Sequence, residues 1–92
     1  MSEKLPDSIR LKVITPRKLL VDEEVKEVTL PDPDRCLGIL PGHRPLFVAL
    51  GKGTLSYRIQ RKKEKYSVRG GHADIGPQKV EVFTELAEDE TG

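Results

Sequence analysis

The sequence predicts an all-β fold, a sandwich or a barrel, on three observations. Apolar residues recur at every second position in short runs. Turn residues interrupt those runs roughly every 8–12 positions, the spacing of short strands in sandwiches and barrels. No stretch keeps a convincing helical period, and the one candidate helical turn lies around residues 44–50.

Taken in order, Ile9, Leu11 and Val13 alternate with Arg10, Lys12 and Ile14, the period of a half-buried strand, which Thr15-Pro16 ends. Residues 18–22 read as a second short strand and 24–30 as a third, with Val28 and Leu30 on one face. Asp32-Pro33-Asp34-Arg35 is loop chemistry, a proline with two aspartates that readily bond their own backbone. Leu55, Tyr57 and Ile59 alternate with Ser56 and Arg58, and residues 61–64 read as a polar hairpin connection into a strand at 65–68. Gly70-Gly71 breaks that strand, as a glycine pair in a sheet marks a bend. Ala73 and Ile75 resume the pattern, Gly76-Pro77-Gln78-Lys79 turns, and Val80 and Val82 carry a last strand into Leu86.

Size and composition bound what such a chain does. Its 92 residues make one domain, and a domain this small buries only about 60–65% of its unfolded surface. Residues 1–88 read as that domain and 89–92 as a frayed acidic tail. An apolar share of 36% against a charged share of 34% suits a small soluble domain. A net charge of +1 gives no global case for nucleic acid or an anionic membrane. No apolar run approaches the ~20 residues that span a bilayer, and the opening MSEKLPDSIR lacks a signal-type apolar core. A single cysteine, Cys36, forms no internal disulfide and points to a reducing compartment.

The most informative stretch is LGILPGHRPL at residues 37–46. Pro41 presets φ for the second position of a tight turn, and Gly42 supplies the positive φ that a type II turn needs next. Pro45, without an N–H, is expected to keep the following residues from running straight into a ladder. The result is a rigid corner displaying His43 and Arg44.

That corner resembles the hallmark of the epsilon subunit of the rotary F-type ATP synthase. LKVITPRKLLVDEEVKEVTLP at residues 11–31, GKGTLSYRI at 51–59 and YSVRGGHADIGPQKVEVFTELAE at 66–88 are similar to further segments of that family, in the same order and spacing. The resemblance implies a flattened β-sandwich of about ten short strands. In most members a two-helix hairpin follows, which carries the family's ATP contacts and inhibitory extension. Here the chain stops where that hairpin would begin, as a naturally short member or a piece cut at the domain boundary. The expectation is therefore no ATP binding and no inhibition of hydrolysis through that route.

The implied role is mechanical: a non-catalytic central-stalk subunit that fixes the gamma subunit to the ring of c subunits. It would be peripheral, on the cytoplasmic face of the bacterial inner membrane, without cofactor, metal or nucleotide and without self-association. Carried over residue by residue, the gamma-facing positions are Thr15, His43, Leu46 and Val48, although Leu46 and Val48 equally suit core packing. The loop Asp34-Arg35-Cys36 would point at the c ring. The family's usual Pro-Gly-x-x-Gly-Glu-x-Gly is Pro31-Asp32-x-x-Arg35-Cys36-x-Gly38 here. Losing both glycines removes easy access to positive φ and stiffens the loop. The family's common apolar residue after the glycine pair is replaced by His72.

Two other classes fit less well. Cys36, His43, His72 and Asp74 are the residues a nucleophile or metal site would need. No local base stands beside Cys36, and Cys-x6-His with a distant His-x-Asp lacks the close pairing of zinc sites. Arg58, Arg61, Lys62, Lys63 and Lys65 with Tyr57 and Tyr66 form a basic, aromatic hairpin of the kind that holds single-stranded nucleic acid. A free-standing barrel of that type is the alternative, but Tyr57 has the alternation of a core residue and lysines commonly guard sheet edges.

Overall fold

The computed structural model describes residues 7–89. The signal-type reading of residues 1–10 falls partly outside these residues, as does 90–92 of the acidic tail.

Ten short strands form two five-stranded sheets. In chain order they are β1 (Ile9–Ile14), β2 (Leu19–Val25), β3 (Glu27–Pro31), β4 (Cys36–Ile39), β5 (Leu46–Ala49), β6 (Lys52–Ile59), β7 (Lys62–Arg69), β8 (His72–Ile75), β9 (Lys79–Phe83) and β10 (Leu86–Asp89). The first sheet runs β2-β1-β9-β8-β5 and the second β10-β7-β6-β3-β4. Every pair is antiparallel except β1 with β9.

The period of two decides what lies between the sheets. Ile9, Leu11 and Val13 of β1 face inward with Val21 and Val25 of β2 and Val80 and Val82 of β9, all buried. From the second sheet come Val28, Leu30, Ile39, Leu55, Tyr57 and Val68. Each such side chain contributes about 1.5–3 kcal/mol by leaving water, which for so small a domain makes this one core the main source of stability.

The structure differs from the sequence reading at four places. The candidate helical turn at 44–50 is strand β5, and Pro45 does not hold off the ladder: Leu46 pairs with Ile75 at once. The missing N–H falls one residue before the first pair. The polar connection at 61–64 is shorter than read, because β7 begins at Lys62 and Ile59 pairs with it. The turn is Gln60-Arg61, with Gln60 at φ +54°. The second strand extends to Val25, and Lys26 donates its N–H to Arg58 in the other sheet. Finally, the last strand is two strands. Thr84 interrupts it, donating its N–H to Ile14 in the first sheet and its hydroxyl to the Gly70 carbonyl at 2.8 Å. The chain crosses there from β9 to β10 in the second sheet.

Candidate interaction surface

The corner has the geometry its residues dictate. His43 donates its N–H to the Leu40 carbonyl at 3.2 Å and Gly42 sits at φ +89°, a type II turn. Gly42 also donates to the Pro77 carbonyl at 2.8 Å, tying the corner to the turn between β8 and β9. The imidazole is spoken for locally: Nδ1 lies 2.7 Å from the Arg44 carbonyl oxygen, which makes it the protonated nitrogen and the donor.

The loop before β4 closes on itself. Asp32 donates its N–H to Arg35 at 2.7 Å, and Asp34 donates to the Asp32 carboxylate at 3.0 Å. No residue of this loop takes a positive φ, so the chain follows its path without the glycines. Gly51 donates to the Pro31 carbonyl at 2.8 Å, and a Cβ on Gly51 would meet the Pro33 Cα at 3.0 Å. Asp34, Arg35 and Cys36 are exposed.

These features share an edge and divide its ends. β4 and β5 are the edge strands of the two sheets; the loop precedes β4 and the corner follows it, about 10 Å along. His43 and Leu46 lie at the corner end. Thr15 lies at the loop end, beyond the Ile14–Phe83 pair, and its hydroxyl oxygen accepts N–H groups from Arg17 and Lys18. Val48 pairs with buried Ala73 and packs against the core. Leu46 shares that inward side and is 39% exposed at the edge. The four residues assigned to one gamma-facing patch are thus not brought together.

What the sequence reading missed lies on the other side of β5. Phe47 is 66% exposed and faces outward, where its ring stacks on His72, and His72 stacks on Phe83, each pair with centroids 5.0 Å apart. The period of two through residues 46–49 was the available signal. It became readable only once those residues were known to be a strand.

The outer face of the second sheet is different in kind. Lys52 pairs with Arg69 and Arg58 with Lys63, with Thr54, Ser56, Lys65 and Ser67 between them. Tyr57 and Tyr66 point to the opposite, inner side, stacked 6.2 Å apart. Burial pushes the Tyr57 phenol well above its ordinary value, with Tyr66, Glu64 and Glu23 adding to the shift. Cations and aromatic rings therefore do not share a face, and a base-stacking platform is not formed. Among the described residues no group of three or more His, Cys, Asp or Glu side chains converges as a metal site would require.

The model of the ATP synthase delta/epsilon chain β-sandwich domain matches residues 8–90. The chain belongs to the ATP synthase delta/epsilon family. Its sequence is 43% identical over 84 residues to the ATP synthase epsilon chain of Solibacter usitatus, covering 91% of this chain and 63% of that one. With the epsilon chain of Carboxydothermus hydrogenoformans it shares 37% over 84 residues, again 91% of this chain and 63% of the other. This delta/epsilon chain thus spans less than two thirds of the length of those relatives. In three dimensions it is similar to a chain of the Euglena gracilis mitochondrial ATP synthase OSCP/F1/c-ring structure. There the TM-score is 0.88 at 25% identity, over 97% of this chain and 57% of that one.

Proposed function

We propose that this chain is a non-catalytic central-stalk subunit of an F-type ATP synthase. It would hold the gamma subunit to the c ring and turn with both, so that torque passes between ring and shaft without slip. The observation that carries this reading is the family match along residues 8–90. The fold's agreement with a chain of a solved F1/c-ring assembly supports it.

The chemistry of the molecule suits that role. A coupling element needs a stiff body and a lasting interface, not a reactive group. A single core between two sheets, with a corner hydrogen-bonded to the β8–β9 turn, supplies the stiffness. Lasting contacts bury at least about 1,200 Å² in total around an apolar centre. We assign the Asp34-Arg35-Cys36 loop to the ring side and His43 with Leu46 to the gamma side. The complex would be peripheral to the membrane, on the cytoplasmic face in a bacterium.

The test is titration calorimetry of the chain against the gamma subunit of the same organism's ATP synthase, beside His43→Asp. Micromolar or tighter binding that the variant weakens supports the reading and locates the corner. Absence of binding to a folded gamma subunit rejects it. Val48→Asp is unsuitable as a probe, because a carboxylate there would be pushed against the core.

A further inference from the structure

The two outer faces of the sandwich carry charge of opposite sign. On the first sheet, Arg10, Lys12 and Lys79 share the outer side with Asp22, Glu24, Asp74 and Glu81, so negative charge is in excess there. On the second, Lys52, Arg58, Lys63, Lys65 and Arg69 stand with only Glu27 and Glu88, so positive charge is in excess. A formal net charge of +1 for the whole chain hides this division.

The basic face is not neutralised from within. Glu27 meets Arg58 at 3.5 Å, and Arg58 also donates to the Gln60 carbonyl at 2.6 Å. Among the described residues Lys52, Lys63 and Arg69 form no ion pair. Like charges stand directly opposite at both ends of the β6–β7 ladder, Lys52 against Arg69 and Arg58 against Lys63. Such pairs destabilise a sheet, and an anion laid across either one relieves the repulsion. The two pairs lie six residues apart along β6, about 20 Å, too far for one small anion to meet both. Between them the face is small and hydroxylated, with Thr54 opposite Ser67 and Ser56 opposite Thr29.

We propose that the outer face of the second sheet lies against an anionic lipid bilayer, its lysines and arginines meeting headgroup phosphates. Charge complementarity argues for an extended negative surface, because the cations are spread over the length of the sheet. The loop assigned to the ring leads into β4 of this same sheet, so a chain resting there on the ring would hold the basic face beside the surrounding lipid. A single-stranded nucleic acid fits less well, since Tyr57 and Tyr66 point inward and leave the cations without stacking rings. The choice of a bilayer over other extended polyanions rests on the central-stalk reading.

The test is flotation of the full chain with vesicles of phosphatidylcholine, alone or mixed with phosphatidylglycerol, at low and physiological salt. Wild type is expected to bind the mixed vesicles only, and less at the higher salt. Lys52→Gln and Lys63→Gln should each weaken binding about fivefold, and the double variant about twentyfold. Glu88→Gln should strengthen it. Lys12→Gln removes the same charge from the first sheet and should leave binding unchanged, while thermal unfolding checks that every variant is folded. No binding by wild type, equal binding to both vesicles, or a loss for Lys12→Gln as large as for Lys63→Gln overturns the proposal. So does tighter binding to a single-stranded oligonucleotide at equal phosphate concentration, which would give the face to nucleic acid. Gamma binding is measured separately: vesicle binding without it keeps the basic face and rejects the stalk reading, and the converse result does the reverse.

Discussion

Gly71 lies so close to Phe83 that no other residue fits. A Cβ on Gly71 would stand 1.9 Å from the Phe83 carbonyl oxygen and 2.8 Å from the Thr84 Cα, and Gly71 has φ +105°. Here the chain leaves β7 in the second sheet for β8 in the first, crossing over the end of β9. Gly71→Ala is expected to lose about 3 kcal/mol or more, since backbone cannot give way as a flexible side chain can. Gly70, at φ +64° with open space around it, should lose only the left-handed cost of about 1–2 kcal/mol. Denaturant midpoints of the two variants give the comparison.

Thr84 fastens the other crossing. Its hydroxyl donates to the Gly70 carbonyl at 2.8 Å while the side chain is buried. Thr84→Val keeps the shape and leaves that carbonyl without its donor, at a cost of about 1–2 kcal/mol. An unchanged unfolding midpoint would show that the bond contributes nothing.

Arg10 bridges Asp22 at 2.7 Å and Glu24 at 3.5 Å across the β1–β2 ladder. Its hydrogen bond holds the Asp22 carboxyl below the usual carboxylate range. A carboxyl depressed in the folded state adds stability above its unfolded value, near about 3.9, and loses it as pH falls through the folded value. Asp22→Asn should therefore show a shallower loss of stability than wild type below about pH 4. High salt should narrow the gap, because the pair is exposed.

Tyr57 predicts the opposite limb. Burial raises its phenol above the ordinary value, so the folded state holds the neutral form. Its contribution is whole below the unfolded value near about 10 and is lost as pH rises beyond it, because only the unfolded chain then ionises freely. Tyr57→Phe should flatten the alkaline loss of stability, followed by unfolding curves between neutral pH and strong alkali. An equally steep loss in the variant would clear Tyr57 of that role.

Core and surface apolar residues should separate cleanly. Leu11 is fully buried, and Leu11→Ala is expected to lose about 2–5 kcal/mol. Phe47, exposed on β5, should change stability by no more than about 0.5 kcal/mol when replaced by serine. Chemical denaturation of both variants checks this, and a large loss for Phe47→Ser would make it a structural residue.

The sequence by itself determined the all-β class, the inward residues of most strands, the Pro-Gly corner and the family. Each is local: Ile9, Leu11 and Val13 declare a strand by period alone, and Pro41-Gly42 permits few turns. It did not determine that residues 46–49 form a strand, that Thr84 divides β9 from β10, or that Thr15 and His43 lie at opposite ends of the first sheet. A four-residue apolar run is compatible with helix or strand until a partner such as β8 offers it hydrogen bonds. The stack of Phe47, His72 and Phe83 was least legible of all. Its members come from three strands scattered between residues 47 and 83, and only the sheet order and register, which long-range pairing decides, set them side by side.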